Sequence, residues 1–379
     1  MEFKVLDWNV GGAKFLEEKK RNKREEYRNK LNAALRTLIS RPRQALEPDV
    51  ITLQEIVRYK EPDSKKANAV PDPNSVAIDL IDPPKGYNYF PSILIDSYLL
   101  SPKAKWNKIL KDSDWHKNTY FAQGNAMLIK KGTPMFPIWD LSNLIQLKKN
   151  KSEARFIEKV HLESGLYFGD RNTEPRAALV MHLIYDPEVE NGVSIKDRKP
   201  LDIFVINMHL TTLMMEREGI PEIDSLARDI RIGQLEIIFN GIISRYNVWR
   251  QQGFPERGER RKESTWETFD RYSPLWILSG DFNFTEESEE YQYIKRRNFI
   301  DTVRAERKKS RFGNGTKAKG FGVDPTLTLD YIFAGPKFIS LHPLIADMEF
   351  YDNRIIHDHD VRVSDHYPTV SYIPLTSPL

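Results

Sequence analysis

Apolar and polar residues alternate, or β-branched residues gather in short runs bounded by turn residues, over eight stretches. These are Phe3 to Val10, Val50 to Ile56, Asn125 to Lys130, Ala178 to Tyr185, Ile203 to Leu210, Leu275 to Phe284, Leu329 to Ala334 and Tyr367 to Ile373. A period of two over such lengths predicts β-strands. Elsewhere the period changes. From about Glu17 to Ser40, the residues Tyr27, Leu31, Ala34, Leu35, Leu38 and Ile39 recur at helical spacing opposite a charged face. Ile223 to about Trp249 carries a second such stripe through Leu226, Ile230, Leu235, Ile238 and Ile242, with Asp224 as its predicted N-cap. Glu286 to Arg297 begins with acids and ends in Lys295, Arg296 and Arg297, as the helix dipole favours. Strands over the whole length, with helices at irregular intervals, predict an α+β fold of mixed sheets covered on their outer faces.

Irregular stretches rich in proline, glycine and charge interrupt this scaffold at about 58–89, 96–120, 132–175 and 245–273. Loops of that length inside a compact domain are usually functional or disordered. The sequence carries no internal repeat, low-complexity tract or dividing linker, so residues 1–379 are read as a single domain with long insertions.

Composition narrows the chemistry. With 379 residues, 40% of them hydrophobic and 29% charged, the chain can bury a core without staples, which excludes disordered, collagenous and small disulfide-rich classes. The absence of cysteine removes thiol nucleophiles and thiolate metal sites, so a metal must sit on Asp, Glu, Asn or His, a set suited to a hard cation. Lys and Arg total 57 against 54 for Asp and Glu, a balance that gives no broad footprint for nucleic acid. The basic runs Lys19 to Arg28 and Arg257 to Lys262 contain acids and read as solvated surfaces. No apolar run approaches the roughly 18 residues that span a bilayer. The chain enters its first strand without a leader pattern, so a cytoplasmic location is expected.

The polar residues that stand out fall at or just beyond strand ends: Asn9, Gln54 and Glu55, Asn207 and His209, Asp281 and Asn283, Asp330, and Asp365 with His366. Singly, each has an ordinary explanation as a turn residue, a surface acid or a hydrogen-bonded core histidine. As a set they supply carboxylates for a hard cation, amides for phosphate oxygens and two histidines. That is the inventory of metal-assisted phosphoester hydrolysis, in which negative charge grows on phosphoryl oxygens and a water must be oriented and deprotonated.

The runs Leu6-Asp7-Trp8-Asn9-Val10, Leu53-Gln54-Glu55, Asn207-Met208-His209-Leu210, Ser279-Gly280-Asp281-Phe282-Asn283, Leu329-Asp330-Tyr331-Ile332-Phe333 and Ser364-Asp365-His366-Tyr367-Pro368 resemble, in order, the motifs of the endonuclease/exonuclease/phosphatase superfamily of deoxyribonuclease-like, metal-dependent phosphodiesterases. Gly124 to Leu128, Pro175 to Leu179, and Arg231 with Gln234 are similar to supporting segments of that family. The resemblance implies a four-layer α/β-β/α sandwich, two mixed sheets packed face to face between outer helices, with a cleft at the sheet ends. It implies Glu55 as principal carboxylate for Mg2+, or Mn2+, with Asn9 beside it and Asp365 as a further metal or structural carboxylate. Asp281 matches the aspartate that activates water, Asn283 the amide that holds a phosphate oxygen or the metal, and His209 the phosphate-contacting histidine. His366 matches the histidine that stabilises pentavalent phosphorus or acts as base, with Asp330 fixing its tautomer; the proton goes to Asp281 or to His366. Arg176 is a candidate phosphate contact, or a surface ion pair. Gly11 departs from the pattern, since several nuclease members carry an acid there. The run His357-Asp358-His359-Asp360 reads as a hydrated loop rather than a metal cluster.

A member that had become a binding protein should have lost Glu55, His209, Asp281 or His366, and all four are present. The expected function is therefore a magnesium-dependent phosphoester hydrolase. For DNA or RNA, the stretch 245–262 offers arginines with Trp249 and Phe254, which suit phosphate contact and base stacking. A phospholipid or sphingomyelin would use the apolar stretches Ile93 to Trp106 and Phe136 to Leu147. An inositol phosphate or nucleotide would need converging cationic side chains. A nuclease or nucleic-acid-end phosphodiesterase is ranked first.

Overall fold

A computed structural model describes residues 2–12, 15, 21–40, 46–60, 76–93, 121–131, 135–137, 157–161, 176–185, 201–213, 216–244, 275–303, 327–335, 354–356 and 363–374. In chain order its elements begin with β1 (Glu2–Asn9), α1 (Arg21–Ser40), β2 (Val50–Tyr59), β3 (Ile78–Asp79), β4 (Tyr87–Ile93), β5 (Phe121–Lys130), β6 (Met135–Pro137) and β7 (Ile157–His161). They continue with β8 (Ala177–Tyr185), β9 (Leu201–His209), α2 (Pro221–Glu236), β10 (Leu275–Asp281), α3 (Glu289–Lys295), β11 (Ile300–Asp301), β12 (Asp330–Ala334), β13 (Arg354–Ile355) and β14 (Thr369–Pro374).

The strands form two sheets, ordered β13-β14-β1-β2-β5-β4 with β3 on β2, and β11-β12-β10-β9-β8-β6 with β7 on β8. Each is mixed: β1 runs parallel to β2 and β9 parallel to β10, while the other pairs are antiparallel. Period-two alternation separates their faces. Phe3, Val5, Val50, Met127 and Ile129 of the first sheet meet Leu179, Met181, Ile203, Val205, Leu275 and Ile277 of the second in one shared core. Leu6, Trp8, Ile51 and Leu53 point the other way, onto Leu31, Leu35 and Leu38 of α1. Phe204, Ile206, Trp276 and Leu278 pack outward against Leu235, Ile238 and Tyr291 of the α2 and α3 regions. The result is the predicted four-layer sandwich. Each fully buried aliphatic or aromatic side chain contributes about 1.5–3 kcal/mol to holding the layers together.

All eight predicted strands form, with shifted ends. The stretch 58–89 also holds the end of β2, all of β3 and the start of β4, and 132–175 holds β6 and β7. Pro91 within β4 and the shortness of β3 and β6 mask the alternation, and pairing with β2, β5 and β8 makes these segments strands. Residues 96–120 and 245–273, and with them the basic stretch 257–262 and the run His357 to Asp360, lie outside the described residues.

Helix α2 begins earlier than predicted. Pro221 sits in its first turn, Ile220 is the N-cap, and Asp224 instead accepts a hydrogen bond from the Arg217 backbone N–H at 2.7 Å. A proline without an N–H suits a first turn, which has donors to spare. The helix continues as a π-helix over Ile237–Ile243. Helix α3 is capped by Ser288, whose Oγ accepts from the Tyr291 N–H at 3.2 Å. On α1, Arg21 pairs with Glu25, and both Lys23 and Lys30 pair with Glu26 at the surface, whereas Arg24 is buried and Arg28 donates to Asp79 O and Asp82, so only part of the described basic run is a solvated face.

Candidate active site

The inner face changes character along each central strand. On β1 the order is Phe3, Val5, Asp7, Asn9; on β2 it is Val50, Thr52, Gln54. On β9 it is Ile203, Val205, Asn207, His209, and on β10 Leu275, Ile277, Ser279, Asp281. Residues two apart share a face, so an apolar floor gives way to a polar tier and then to the strand ends. Register aligns those ends: Asn9 lies beside Gln54, and Asp281 lies between His209 and Asp330.

The polar tier clasps one sheet to the other. Asp7 Oδ1 accepts from Thr52 Oγ1 at 2.6 Å and Gln54 Nε2 at 2.9 Å within its own sheet, and from Ser279 Oγ of the facing sheet at 3.0 Å. Gln54 Nε2 also donates to Asn207 Oδ1 at 2.8 Å, and Asn207 Nδ2 donates back across the interface to Leu53 O at 3.0 Å and Ala126 O at 2.8 Å. Buried polar groups are tolerated when bonded in this way. Asp7 is fully buried, and its Oδ2 has no hydrogen-bond partner among the described residues. Burial first, and the nearby Asp330 carboxylate second, push its carboxyl well above the usual range.

Folded Asp7 therefore keeps a proton that the unfolded chain loses from about pH 4 upward. The folded state then binds more protons, and stability falls as pH rises through that window. Asp7→Asn keeps an acceptor oxygen and removes the titration. In EDTA, urea unfolding at pH 5 and pH 8 should show a smaller stability loss for Asp7→Asn than for wild type; equal losses would mean that Asp7 does not titrate on unfolding.

Above this tier, Glu55 sits where the β2–β5 register shifts between Leu53 and Ile56, and its φ of 55° turns it out of the strand. Gly12 permits the turn, since a Cβ there would lie 1.9 Å from Glu55 O. Gly11, with a φ of 66°, faces Ser364, Tyr27 and Asp365 so closely that a Cβ would stand 3.0–3.3 Å from their oxygens. A side chain at this position would be strained by the left-handed backbone and would press on those oxygens. Asp365 and Glu55 both bear on the Tyr27 phenol, which burial and these two carboxylates push well above its ordinary pKa. Tyr27 thus stays protonated and donates to Val10 O at 2.8 Å.

Asn9 Nδ2 donates to Asp281 Oδ2 at 3.0 Å and to Glu55 Oε1 at 3.2 Å, while its Oδ1 is held by the Gly11 N–H at 3.0 Å. Asn9 therefore bridges two carboxylates. His366 Nδ1 is 2.7 Å from Asp330 Oδ2, and its Nε2 is 3.5 Å from Asp281 Oδ2. His209 approaches the same Asp281 oxygen through Nε2 at 3.7 Å, and its Nδ1 is 2.7 Å from Arg176 Nη1. Asp281 Oδ1 accepts from the Asn283 N–H at 3.0 Å, and Asn283 Nδ2 donates to Leu210 O at 2.9 Å. Ser364 Oγ donates to Asn9 O at 2.7 Å and lies 3.4 Å from Asp365 Oδ1. All nine predicted site residues thus fall in one connected cluster at the sheet ends. Arg176 is only 6% exposed, so a surface ion pair does not describe it.

The donor set fits a hard cation. Glu55 and Asp365 are partly exposed carboxylates around the Tyr27 hydroxyl, and Asp281, Asp330 and His366 offer ligand atoms within 4.8 Å of one another. A buried brace supports the turn after β9: Arg231 bonds Glu290 at 2.8 Å and Glu216 at 2.7 Å, Gln234 accepts from the Thr211 N–H at 3.0 Å, and Arg217 donates to Asn283 O.

Sequence reasoning did not single out Asp7, Thr52, Ser279 or Tyr27 as residues of the site. For the first three a signal existed: each polar residue lies two positions before a strand-end polar residue, on the face that is otherwise apolar. Tyr27 was read as part of an apolar stripe, and its hydroxyl meets the site only because α1 packs over Val10 and Gly11.

No family model matches the chain, and no curated protein matches it. Among solved structures, it is similar to an endonuclease/exonuclease/phosphatase from Bacteroides vulgatus, with a TM-score of 0.49 and 10% identity over 99% of this chain and 100% of that one. It is similar to an endonuclease/exonuclease/phosphatase family protein from Bacteroides thetaiotaomicron, with a TM-score of 0.48 and 11% identity over 99% of each chain. The human Nocturnin catalytic domain with bound sulfate anion gives a TM-score of 0.43 and 14% identity, over 98% of this chain and 93% of that one.

Proposed function

We propose that this chain is a single-domain member of the endonuclease/exonuclease/phosphatase superfamily and a divalent-cation-dependent phosphoester hydrolase. The observation that carries this reading is the convergence of Asn9, Glu55, His209, Asp281, Asp330 and His366, drawn from six separate motifs, on one Asp281 oxygen and its immediate surroundings.

Glu55 and Asp365, with Asn9 beside them, would hold Mg2+ or Mn2+, which supplies charge neutralisation at the phosphoryl oxygens and at the leaving oxygen. Asp281 is held by Asn9 and by the Asn283 N–H, so its carboxylate is fixed where it can orient a water and take its proton. His366 bridges Asp330 and Asp281, and carboxylates on both sides stabilise its imidazolium, a donor aimed where negative charge develops. Asn283 and His209 complete the set of groups available to phosphoryl oxygens.

Among substrates, a nucleic acid or nucleic-acid end ranks first, because stacking and phosphate contacts both have candidates in 245–262, which lies outside the described residues. A phospholipid, an inositol phosphate or a nucleotide is the alternative. A cytoplasmic location belongs to the same reading; among the described residues no helix is long and apolar enough to cross a membrane.

The deciding experiment assays DNA, RNA, sphingomyelin, phosphoinositide and nucleotide substrates with Mg2+, with Mn2+ and with excess EDTA. Cation-dependent turnover of one class is expected, and turnover that persists in EDTA would overturn the metal role. Glu55→Gln should raise the Mg2+ concentration for half-maximal rate by about tenfold or more while leaving the unfolding midpoint in EDTA nearly unchanged. An unaltered Mg2+ dependence removes Glu55 from the cation site.

A further inference from the structure

The two histidines of the cluster are held by partners of opposite kind. His366 Nδ1 faces a carboxylate, which can only accept, so that nitrogen carries the hydrogen. His209 Nδ1 faces Nη1 of Arg176 at 2.7 Å, and a guanidinium can only donate. The His209 Nδ1 is therefore the acceptor, and the ring hydrogen sits on Nε2, the nitrogen that points toward Asp281 at 3.7 Å. A doubly protonated ring would set N–H against N–H at this distance. The contact is built into the fold: Arg176 precedes β8, His209 ends the neighbouring strand β9, and both side chains are buried, at 6% exposure each.

We propose that Arg176 is a positioning residue that holds His209 in the Nε2–H tautomer, which makes His209 a hydrogen-bond donor to the substrate's phosphoryl group and denies it the part of base. This rests on the hydrolase reading for its consequence but not for its test. It also divides the labour between two rings that sequence motifs leave alike. His209 presents a fixed neutral donor, and His366 is tied to the carboxylate pair that moves protons. The tautomer of a functional histidine is set by what its other nitrogen bonds, and here that bond comes from an arginine.

The test is nitrogen-15 NMR of histidine-labelled, full-length protein in EDTA at about pH 8, where an ordinary imidazole is neutral. The His209 resonances are assigned by their loss in His209→Gln. We expect the His209 Nδ1 to show the shift of an unprotonated nitrogen and Nε2 that of a protonated one. Arg176→Lys should keep this pattern, and Arg176→Met should move both shifts toward the averaged values of a free imidazole. A wild-type spectrum with His209 protonated on Nδ1 overturns the proposal without any variant having to fold.

Kinetics on whichever phosphoester the substrate panel shows to be turned over give a second reading. Arg176→Met should lower kcat by about 3- to 10-fold with KM nearly constant, since the ring can still visit the donor tautomer. His209→Ala should cost about 10²–10³-fold, as loss of a preorganised donor does. An Arg176→Met effect confined to KM, with the His209 shifts unchanged, would make Arg176 a direct substrate contact and overturn the positioning role. Failure to turn over any phosphoester would sink the hydrolase reading alone, because the tautomer is read without substrate.

Discussion

Asp281→Asn is expected to lower kcat by about 10³-fold, within the range lost when a general base is removed, with little change in KM and no loss of stability. Three observations set that size. Asp281 Oδ2 is the atom on which the cluster converges, with Asn9 Nδ2 at 3.0 Å, His366 Nε2 at 3.5 Å and His209 Nε2 at 3.7 Å. The amide that replaces it keeps an oxygen for the Asn283 N–H but turns an NH2 toward the Asn9 NH2, so neither the acceptor nor the base survives. Stability should hold or rise, because the carboxylates of Asp281 and Asp330 are gathered at a buried edge for chemistry rather than for packing. Rapid-quench or steady-state kinetics beside a thermal unfolding curve separate the two effects. A variant that keeps more than about a tenth of wild-type kcat would remove Asp281 from the proton transfer.

What the sequence made legible follows from where its signals are local. The strands β1, β2, β9 and β10 show their apolar alternation outright, and the polar residues at their ends stand out against it, so the candidate site could be assembled before any fold was known. The short strands β3, β11 and β13 carry only two residues each and exist through their neighbours' hydrogen bonds. No local pattern announces them. The inter-sheet clasp of Asp7, Thr52, Gln54, Asn207 and Ser279 was half visible, since Gln54 and Asn207 fall in recognisable motifs, but its pairing of residues across two sheets is a tertiary fact. The same holds for Arg176, whose partner is His209: the residue just before β8 meets the last residue of its antiparallel neighbour β9 because of register, and a sequence cannot say that the guanidinium lies against a ring nitrogen rather than in solvent.

The clasp also explains how so many polar groups stay put at the sheet ends. Three residues of the tier lie one pleat below a residue of the site: Asp7 below Asn9, Asn207 below His209, Ser279 below Asp281. Hydrogen bonds across the sandwich at that level fix the spacing of the two sheets where they would otherwise be free to shear. A catalytic geometry tolerant of only small displacements is thereby set from beneath, by residues that need touch neither cation nor substrate.

His366→Ala should also cost about 10³-fold in kcat, and the size of its coupling to Asp330 is the sharper test. Asp330 Oδ2 accepts from His366 Nδ1 at 2.7 Å, both side chains being fully enclosed, so the carboxylate acts on the reaction through the ring's orientation and charge. Asp330→Asn alone should lower kcat by about 10- to 100-fold, since the ring remains but is less firmly held. Once His366 is gone, Asp330 has nothing to position, and the double variant should fall within about 3-fold of His366→Ala; residues that act as a unit are not additive. Multiplicative losses in kcat, with the double variant slower than His366→Ala by the full Asp330→Asn factor, would show that Asp330 works independently of His366, and the pairing that orders this end of the site would have to be abandoned.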